Sequence, residues 1–470
     1  MKLIIYIFSY SLIFFIFGCT KLNTNPYDST TEKSIFSSVE GMEASILGCY
    51  DAMQSFEYYG RNFFILQEIY SDNAKLSSLN TGQFSDLYSL QVSNGNKTIE
   101  SIWKTGYSII SHCNSILSSI DSVKNITPIQ TRKITGEALA IRSLIYFDLI
   151  RLFAQTYTFS NTAIEENADS EGGHTGIPLI LNKTNIQDLS APDTKSVNEI
   201  YTQIISDLTR ADSLLSHSTF SPHRLNTYSI HALLSQIFLT QKKYDIALNY
   251  CESVIESQQF SLVDRNSFLN NWNSDNSSEI VFSISMTATD YPGTNSLAHI
   301  LSPEGYGAIV PSEDLTNTYS SSDIRLEFFQ KRTETFCNKY NGTNNILGVH
   351  NIPIIRISEM YMIQAECYAQ KALKTSGFTP FAQEALLTIA QRSDSTIFAI
   401  NSTGTDLLED IYTEYRKEFA FEGRRFFQLK RLESSIVRSD CNNNCNLSYP
   451  DTKFAFPFPL HETLIQSLTE

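Results

Sequence analysis

Apolar residues recur every three or four positions through most of the chain, and strict alternation is rare. From Ile134, the positions Ile134, Ala138, Ile141, Ile145, Leu149 and Leu152 trace one face of a long helix. Residues 197–215 repeat the pattern behind Ser196, and Glu199 three residues on completes a capping box. Residues 225–255 predict two amphipathic helices that meet at Gln241, Lys242 and Lys243. Tyr244, Ala247, Cys251 and Val254 then follow at the spacing of a tetratricopeptide second helix, with small Ala247 where two helices approach closely. Residues 355–372 predict a further helix of this kind, partnered by residues 381–392. Such hairpins cannot bury their apolar faces singly, so they stack. The expected fold is mainly α, with tetratricopeptide-like helical hairpins forming a scaffold, a loop-rich irregular region and a few short strands.

Three stretches depart from this pattern. Residues 260–351 are rich in Asn, Ser, Gly and Tyr, with one strand candidate at residues 279–286. A loop region that long is functional or disordered, and its aromatic content argues against disorder. Residues 154–176 carry Glu165, Glu166, Asp169 and Glu171 without the ligand register or glycine of a helix–loop–helix calcium site, so they read as a solvated acidic loop. Residues 417–432, KEFAFEGRRFFQLKRL, crowd acids, bases and phenylalanines into about four turns of a helix. Tyr412, Tyr415, Phe419, Phe426 and Leu429 form its apolar stripe. Glu414, Glu418 and Glu422 repel at i,i+4 unless the nearby Arg416, Arg424 and Arg425 offset them. Acids interleave the bases, against nucleic-acid readout, and the carboxylates ride with their own counter-ions, against acid–base catalysis. The cluster reads as architecture, its charges buried and mutually paired.

Net charge of -15 and a pI near 5.1 argue against phosphate backbones as partners. With 24 tyrosines and 30 phenylalanines against two tryptophans, a stacking surface falls to Tyr. At the start, Lys2 precedes an apolar run from Leu3 to Phe17 and then Gly18-Cys19. The run is short for a spanning helix and reads as a secretory signal, residues 1–18, removed in the mature chain. A small residue before Cys resembles the bacterial lipoprotein cleavage site, so Cys19 is expected to carry the lipid that anchors the protein.

Of the remaining cysteines, Cys49, Cys113, Cys251 and Cys367 fall in helical segments as small hydrophobes. Cys441 and Cys445 sit in a polar loop of an exported chain, where a local disulfide is expected; zinc would need ligands that the neighbourhood lacks. No zincin motif, Walker loop or G-x-S-x-G elbow occurs, and the eight histidines are scattered. GYGAIV at Gly305 lacks the third glycine of a dinucleotide loop. Neither a catalytic constellation, a metal nor a cofactor is expected.

The segment YRKEFAFEGRRFFQLKRL, residues 415–432, resembles the late signature of the SusD/RagB family, outer-membrane nutrient-binding lipoproteins of Gram-negative glycan-uptake systems. Collinear pieces agree: LNTNP after Cys19, IWKTGYSIISHCNSIL from Ile102, GEALAIRSLIYFDLIRLF from Gly136, GIPLIL from Gly176, PSEDLTNTYSSSDIR from Pro311, IPIIRISEMYMIQAE from Ile352, and FAFPFPLHE as a proline-containing terminal strand. Ala154 stands where a glycine often follows Arg-Leu-Phe. The resemblance covers nearly the whole mature chain and implies one domain over residues 19–470, with its ligand-binding excursion at about 260–351. It further implies a surface-exposed outer-membrane lipoprotein that sits as a lid on a SusC-like TonB-dependent transporter and binds oligosaccharide without cleaving it.

Sugars present an apolar C–H face and a rim of hydroxyls, so their sites combine flat aromatics with polar groups. The resemblance places such sites in two loop regions. The first offers Lys75, Asn80, Phe84 and Tyr88; the second offers Asp290, Tyr291, Asn295, His299 and Tyr306. Trp103 and Trp272 fall in scaffold segments and are assigned to packing. The rival readings are a peptide-binding member of the family, a helical-repeat envelope adaptor, and a glycan hydrolase, whose two carboxylates need only meet in space.

Overall fold

The computed structural model describes residues 35–169, 171–183, 193–272, 274–275, 277–343, 346–441 and 446–469. The expected signal segment and Cys19 lie outside the described residues.

Several of the long helices begin where a side chain satisfies free N–H groups. Ser38 caps α1 (Val39–Gln54), and α2 (Asn62–Ile69) follows, buried throughout. Asn96 caps α3 (Lys97–Ser119), and Thr127 with Gln130 forms a capping box on α4 (Pro128–Phe153), with Pro128 in the first turn. The Ser196–Glu199 box opens α5 (Val197–Leu215) as expected. The hairpin α6 (Thr227–Thr240) and α7 (Tyr244–Ile255) turns at residues 241–243, and Ala247, Cys251 and Val254 are buried. Next come α8 (Arg265–Asn271), α9 (Ile357–Ala372), α10 (Thr379–Ser393), α11 (Gly404–Glu418), α12 (Arg425–Arg431) and α13 (Leu460–Thr469).

The helices pack in series: α3 on α4, α4 on α5, α5 on α6, α6 on α7, α7 on α9, and α9 on α10 and α11. The stacked-hairpin scaffold follows from this order, since every helix buries a face on both neighbours. Helix α4 lies in the middle. The stripe from Ile134 to Leu152 is buried, but so are Leu139, Leu144, Tyr146 and Phe147 beside it. At Gly136 a Cβ would lie 2.7 Å from Leu215 Cγ, so α5 comes in over bare backbone.

Strands are short and form antiparallel pairs. β1 (Ala74–Leu76) pairs with β5 (Ile309–Pro311), and β2 (Thr175–Pro178) with β3 (Thr194–Ser196). β4 (Ile280–Ile284), inside the expected strand, pairs with β8 (Ile352–Arg356), and β6 (Phe329–Lys331) with β7 (Thr335–Cys337). The β4–β8 pair closes the base of the 260–351 excursion, while β1–β5 draws its middle across to the chain that leaves α2.

Two expectations are corrected. Residues 417–432 are not one helix: α11 stops at Glu418, Phe421 and Gly423 take left-handed φ of 63° and 66°, and α12 starts at Arg425. Residues 455–459 form no strand; Phe456 N reaches across to Leu152 O at 2.9 Å, but Pro457 and Pro459 have no N–H to extend this into a ladder.

The charges of this region are buried, as expected, but their partners come from elsewhere. Arg356 joins Glu422, Glu418 and Glu279; Arg392 joins Glu279 and Glu418; Arg325 joins Asp323, Glu414 and Glu418. Lys339 pairs with Glu422 at 2.6 Å, and Lys417 bridges Glu414 and Asp323. Five cations thus face five carboxylates, so the network is neutral as a whole. Burial alone would raise the Glu418 carboxyl; the guanidiniums of Arg392, Arg356 and Arg325 outweigh it and hold Glu418 well below the carboxylate range. Arg424 turns instead to Glu359 at 3.1 Å, and Arg425 takes both oxygens of Asp72 at 2.7 Å.

Cations also cap helix ends. Lys339 Nζ donates to Ala420 O at 3.0 Å just past α11, and Lys430 Nζ donates to Arg151 O at 2.7 Å and to Ala154 O at the end of α4. Trp103 packs between Tyr107, Phe153 and Phe458, while Trp272 meets Phe328 and Tyr340 beneath Lys339.

Cys49, Cys113, Cys251 and Cys367 are buried free thiols, as is Cys337. Cys441 is disulfide-bonded, and Cys445 lies outside the described residues. In the 154–176 loop, Glu166, Asp169 and Glu171 are exposed, and among the described residues no group of acids, His and Cys is placed to hold a metal ion. No described helix is long and apolar enough to cross a membrane.

Candidate functional site

The turn between α1 and α2 brings up a residue that no sequence pattern marks. Arg61 stands half-buried at the turn's edge, with its guanidinium 4.6 Å from the Phe56 ring centroid and 5.8 Å from that of Phe84. Its Nε donates to Asn62 Oδ1 at 2.9 Å and its Nη1 reaches Asn295 Oδ1 at 3.5 Å. Burial pushes its pKa down, opposed by the nearby Tyr306 and Glu57. No described carboxylate forms an ion pair with it, so its charge remains available to a ligand. Phe84 comes from the first expected loop, and Asn295 and Tyr306 from the second. The β1–β5 ladder joins those loops, with Lys75 opposite Val310.

The rings are set for contact from outside. Tyr306 is 45% exposed, and Leu79, which comes up against the next residue, Gly307, is 49% exposed. Tyr306 is held by its own N–H, which donates to His299 O at 2.6 Å, and a Cβ on the preceding Gly305 would lie 2.4 Å from that same oxygen. Phe84 has φ 59° and ψ 17°, a left-handed conformation unfavourable for a phenylalanine, which the single helical turn Ser85–Tyr88 then follows. Such strain collects where the fold must present a side chain in one place. Together Phe56, Arg61, Phe84, Asn295 and Tyr306 form an open aromatic and polar shelf.

The other residues expected from the sequence are placed around it. Asn80 spends its amide on backbone carbonyls, donating to Gln83 O at 3.0 Å in its own loop and to Ala308 O at 3.1 Å beside β5, and its Oδ1 accepts from Gly82 N. His299 lies behind Tyr306, its Nδ1 2.8 Å from Ser296 Oγ, and burial lowers its pKa. Tyr291 is half-buried against the core, and Asp290 is exposed with its carbonyl accepting from Gln54 Nε2 at 2.9 Å.

Lys75 and Tyr88 form a second group, held by a strap that sequence reasoning missed. Arg438 lies 4.9 Å from the Tyr88 ring centroid and donates to the carbonyls of Tyr88, Ser71 (2.6 Å) and Ile69 (2.9 Å). Two residues on, Asp440 pairs with Lys75 at 3.1 Å and accepts from Glu313 N at 3.1 Å. The strap thus ties the end of α2, the Phe84–Tyr88 turn and the chain after β5 into one unit. Tyr88 sits one helical turn from Phe84, so the two groups are continuous.

Residues 22–239 match a family described as starch-binding and associating with the outer membrane, and residues 316–455 match the SusD family. The SusD-like protein P2 of Formosa agariphila is 22% identical over 473 residues, covering 90% of this chain and 89% of that one. A SusD superfamily structure from Bacteroides vulgatus superposes with a TM-score of 0.82 at 23% identity, over 92% of this chain and 98% of the other. Surface glycan-binding protein A of Bacteroides thetaiotaomicron, solved with laminarihexaose, gives 0.72 at 17% identity, over 92% and 98%. Two family matches in their proper order, on a scaffold shared over most of its length, make this chain a member of the SusD family.

Proposed function

We propose that the protein is a non-catalytic carbohydrate-binding lipoprotein of the outer membrane, a single mature domain from Cys19. It holds oligosaccharide on the Arg61 shelf and presents it to a SusC-like TonB-dependent transporter. One observation carries this reading: two loops more than 200 residues apart supply Phe84 and Asn295 to a guanidinium that has no ion-pair partner among the described residues, beside the Phe56 ring and within electrostatic reach of Tyr306. Flat rings accept the C–H face of a sugar, and Arg61 and Asn295 address its hydroxyl rim. The shelf is open, as a glycan chain longer than the site requires. Relatives support the same reading: a matched family is described as starch-binding, and one structural neighbour was solved with laminarihexaose.

The test is a titration of the mature protein against a panel of neutral oligosaccharides and peptides, with product analysis after long incubation. Saturable binding of a glycan without cleavage is expected. Peptide binding alone, or released saccharide products, overturns the reading. The anchor is tested separately: Cys19→Ala should move the protein from the membrane to the soluble fraction, and retention in outer membranes refutes lipidation at Cys19.

A further inference from the structure

A cavity of about 620 Å³, lined by none of the shelf residues, opens among α7, α9, α11 and α12. Leu429 and Leu432 contribute apolar surface, and the half-buried rings of Tyr244 and Tyr412 line it as well. Gln370 Nε2 donates to the Tyr412 hydroxyl at 3.2 Å, and the exposed Thr413 stands at the mouth. Volume and lining fall within the range of small-ligand sites.

Its charge sets it apart in a chain of net -15. Lys242, Arg416, Arg425 and Arg431 all line it. Lys242 is matched by Glu433 at 2.7 Å and Arg431 by both oxygens of Glu366, at 2.6 and 2.8 Å. Arg425 and Arg416 share one carboxylate. Asp72 gives both oxygens to Arg425 at 2.7 Å and lies 3.4 Å from Arg416. Four cations thus meet three carboxylates, and Arg416 is the one left short. Glu409, also on the lining, is exposed to solvent and makes no ion pair among the described residues.

Arg416 Nε donates to Asn73 Oδ1 and its Nη2 to Asp72 O, both at 2.8 Å, while Nη1 has no acceptor among the described residues. That side chain is only 11% exposed. A guanidinium stripped of water, sharing its carboxylate and keeping one uncommitted nitrogen on a tyrosine-lined cavity suits an oxyanion carried on a ring.

We propose that this cavity is a second saccharide site, selective for an acidic sugar: a carboxylate or sulfate ester meets Arg416 Nη1 while Tyr244 and Tyr412 flank the ring. The assignment rests on the carbohydrate-binding reading above, but on different residues. It implies that the protein takes hold of charged glycans at a point separate from the Arg61 shelf.

The test is calorimetric titration of the full mature protein with a uronate trisaccharide, its neutral methyl ester, a sulfated trisaccharide and inorganic sulfate. Thr413→Glu adds a carboxylate at the exposed mouth without touching the core, Arg416→Gln removes the cation, and Arg61→Ala reports on the other shelf. An acidic trisaccharide is expected to bind at least tenfold more tightly than the ester. Thr413→Glu should erase that preference at an unchanged melting temperature, with Arg61→Ala leaving it intact. Preference for the uronate or for the sulfated sugar tells which oxyanion is read, and either supports the site. Equal binding of the ester, indifference to Thr413→Glu, loss on Arg61→Ala alone, or inorganic sulfate binding as tightly as the acidic sugar each overturns it. A failure of the first shelf shows instead as neutral-glycan binding untouched by Arg61→Ala.

Discussion

Arg356 and Glu422 meet in a two-armed ion pair, Nε to Oε2 at 2.9 Å and Nη2 to Oε1 at 2.8 Å, both side chains almost fully buried. The pair locks the end of β8 to the break between α11 and α12. Arg356 Nη2 also reaches Glu418 O at 3.3 Å, so the same guanidinium closes the end of α11. A buried pair of this kind is weak evidence of net stabilisation, because desolvation offsets attraction. Removing one member is another matter.

Arg356→Met should destabilise the protein by roughly 3–5 kcal/mol, since it leaves the buried carboxylates Glu422, Glu418 and Glu279 one cation short, with only Lys339, Arg392 and Arg325 to offset them. Urea denaturation measures this. Ligand affinity of the fraction that stays folded should be unchanged, which separates architecture from a role in binding.

Glu68 sits wholly buried, accepting from Gly423 N at 2.9 Å and Asn73 Nδ2 at 2.8 Å. Burial, only partly opposed by these bonds, pushes its pKa from 4.5 to about 6. Between those values the folded state holds a proton that the unfolded chain has lost, so this residue's contribution to stability falls as pH rises from 4.5 to about 6. The span is worth about 2 kcal/mol at 1.36 kcal/mol per pH unit. The stability difference between Glu68→Gln and the native protein should shift by that amount in the variant's favour between pH 4 and 7.5. Denaturation curves that keep a constant offset across this range would contradict it.

On the shelf, Tyr306→Ala should weaken glycan binding about tenfold, near 1.4 kcal/mol, with an unchanged melting curve, because its ring is exposed. Tyr291→Ala should do the reverse. Its ring is half-buried on the core, so the melting temperature falls and affinity follows only through stability.

Arg438 is expected to act as a positioning residue through Tyr88, whose ring it approaches at 4.9 Å. Arg438→Met leaves three backbone carbonyls without their donor, each worth about 1–3 kcal/mol when buried. The variant should shift the Tyr88 ring resonances in the free protein and weaken glycan binding, with Arg438→Lys recovering part of both. Unmoved resonances with normal affinity would assign Arg438 to stability alone.

The helices of this protein were legible because their information is local. A capping box joins residues three apart, as at Ser196 and Glu199, and an apolar stripe needs only a repeat of three or four. The two loop regions stood out for the same reason, since aromatic and turn residues interrupt that repeat. Pairing across the chain leaves no such trace. Asp72 and Arg425 lie 353 residues apart, and Arg61 occupies a short turn with no periodicity around it, yet each completes a cluster that the sequence had assigned to other partners or left without a centre. The break at Phe421 and Gly423 was hidden too, because the apolar stripe continues through it in register while the backbone does not. Sequence alone therefore determined where the scaffold helices and the two loop regions lie, and which family pattern they follow. Only the tertiary structure decided which charges neutralise one another and which remain free to meet a ligand, because burial and distance, not spacing along the chain, set the energy of a charge.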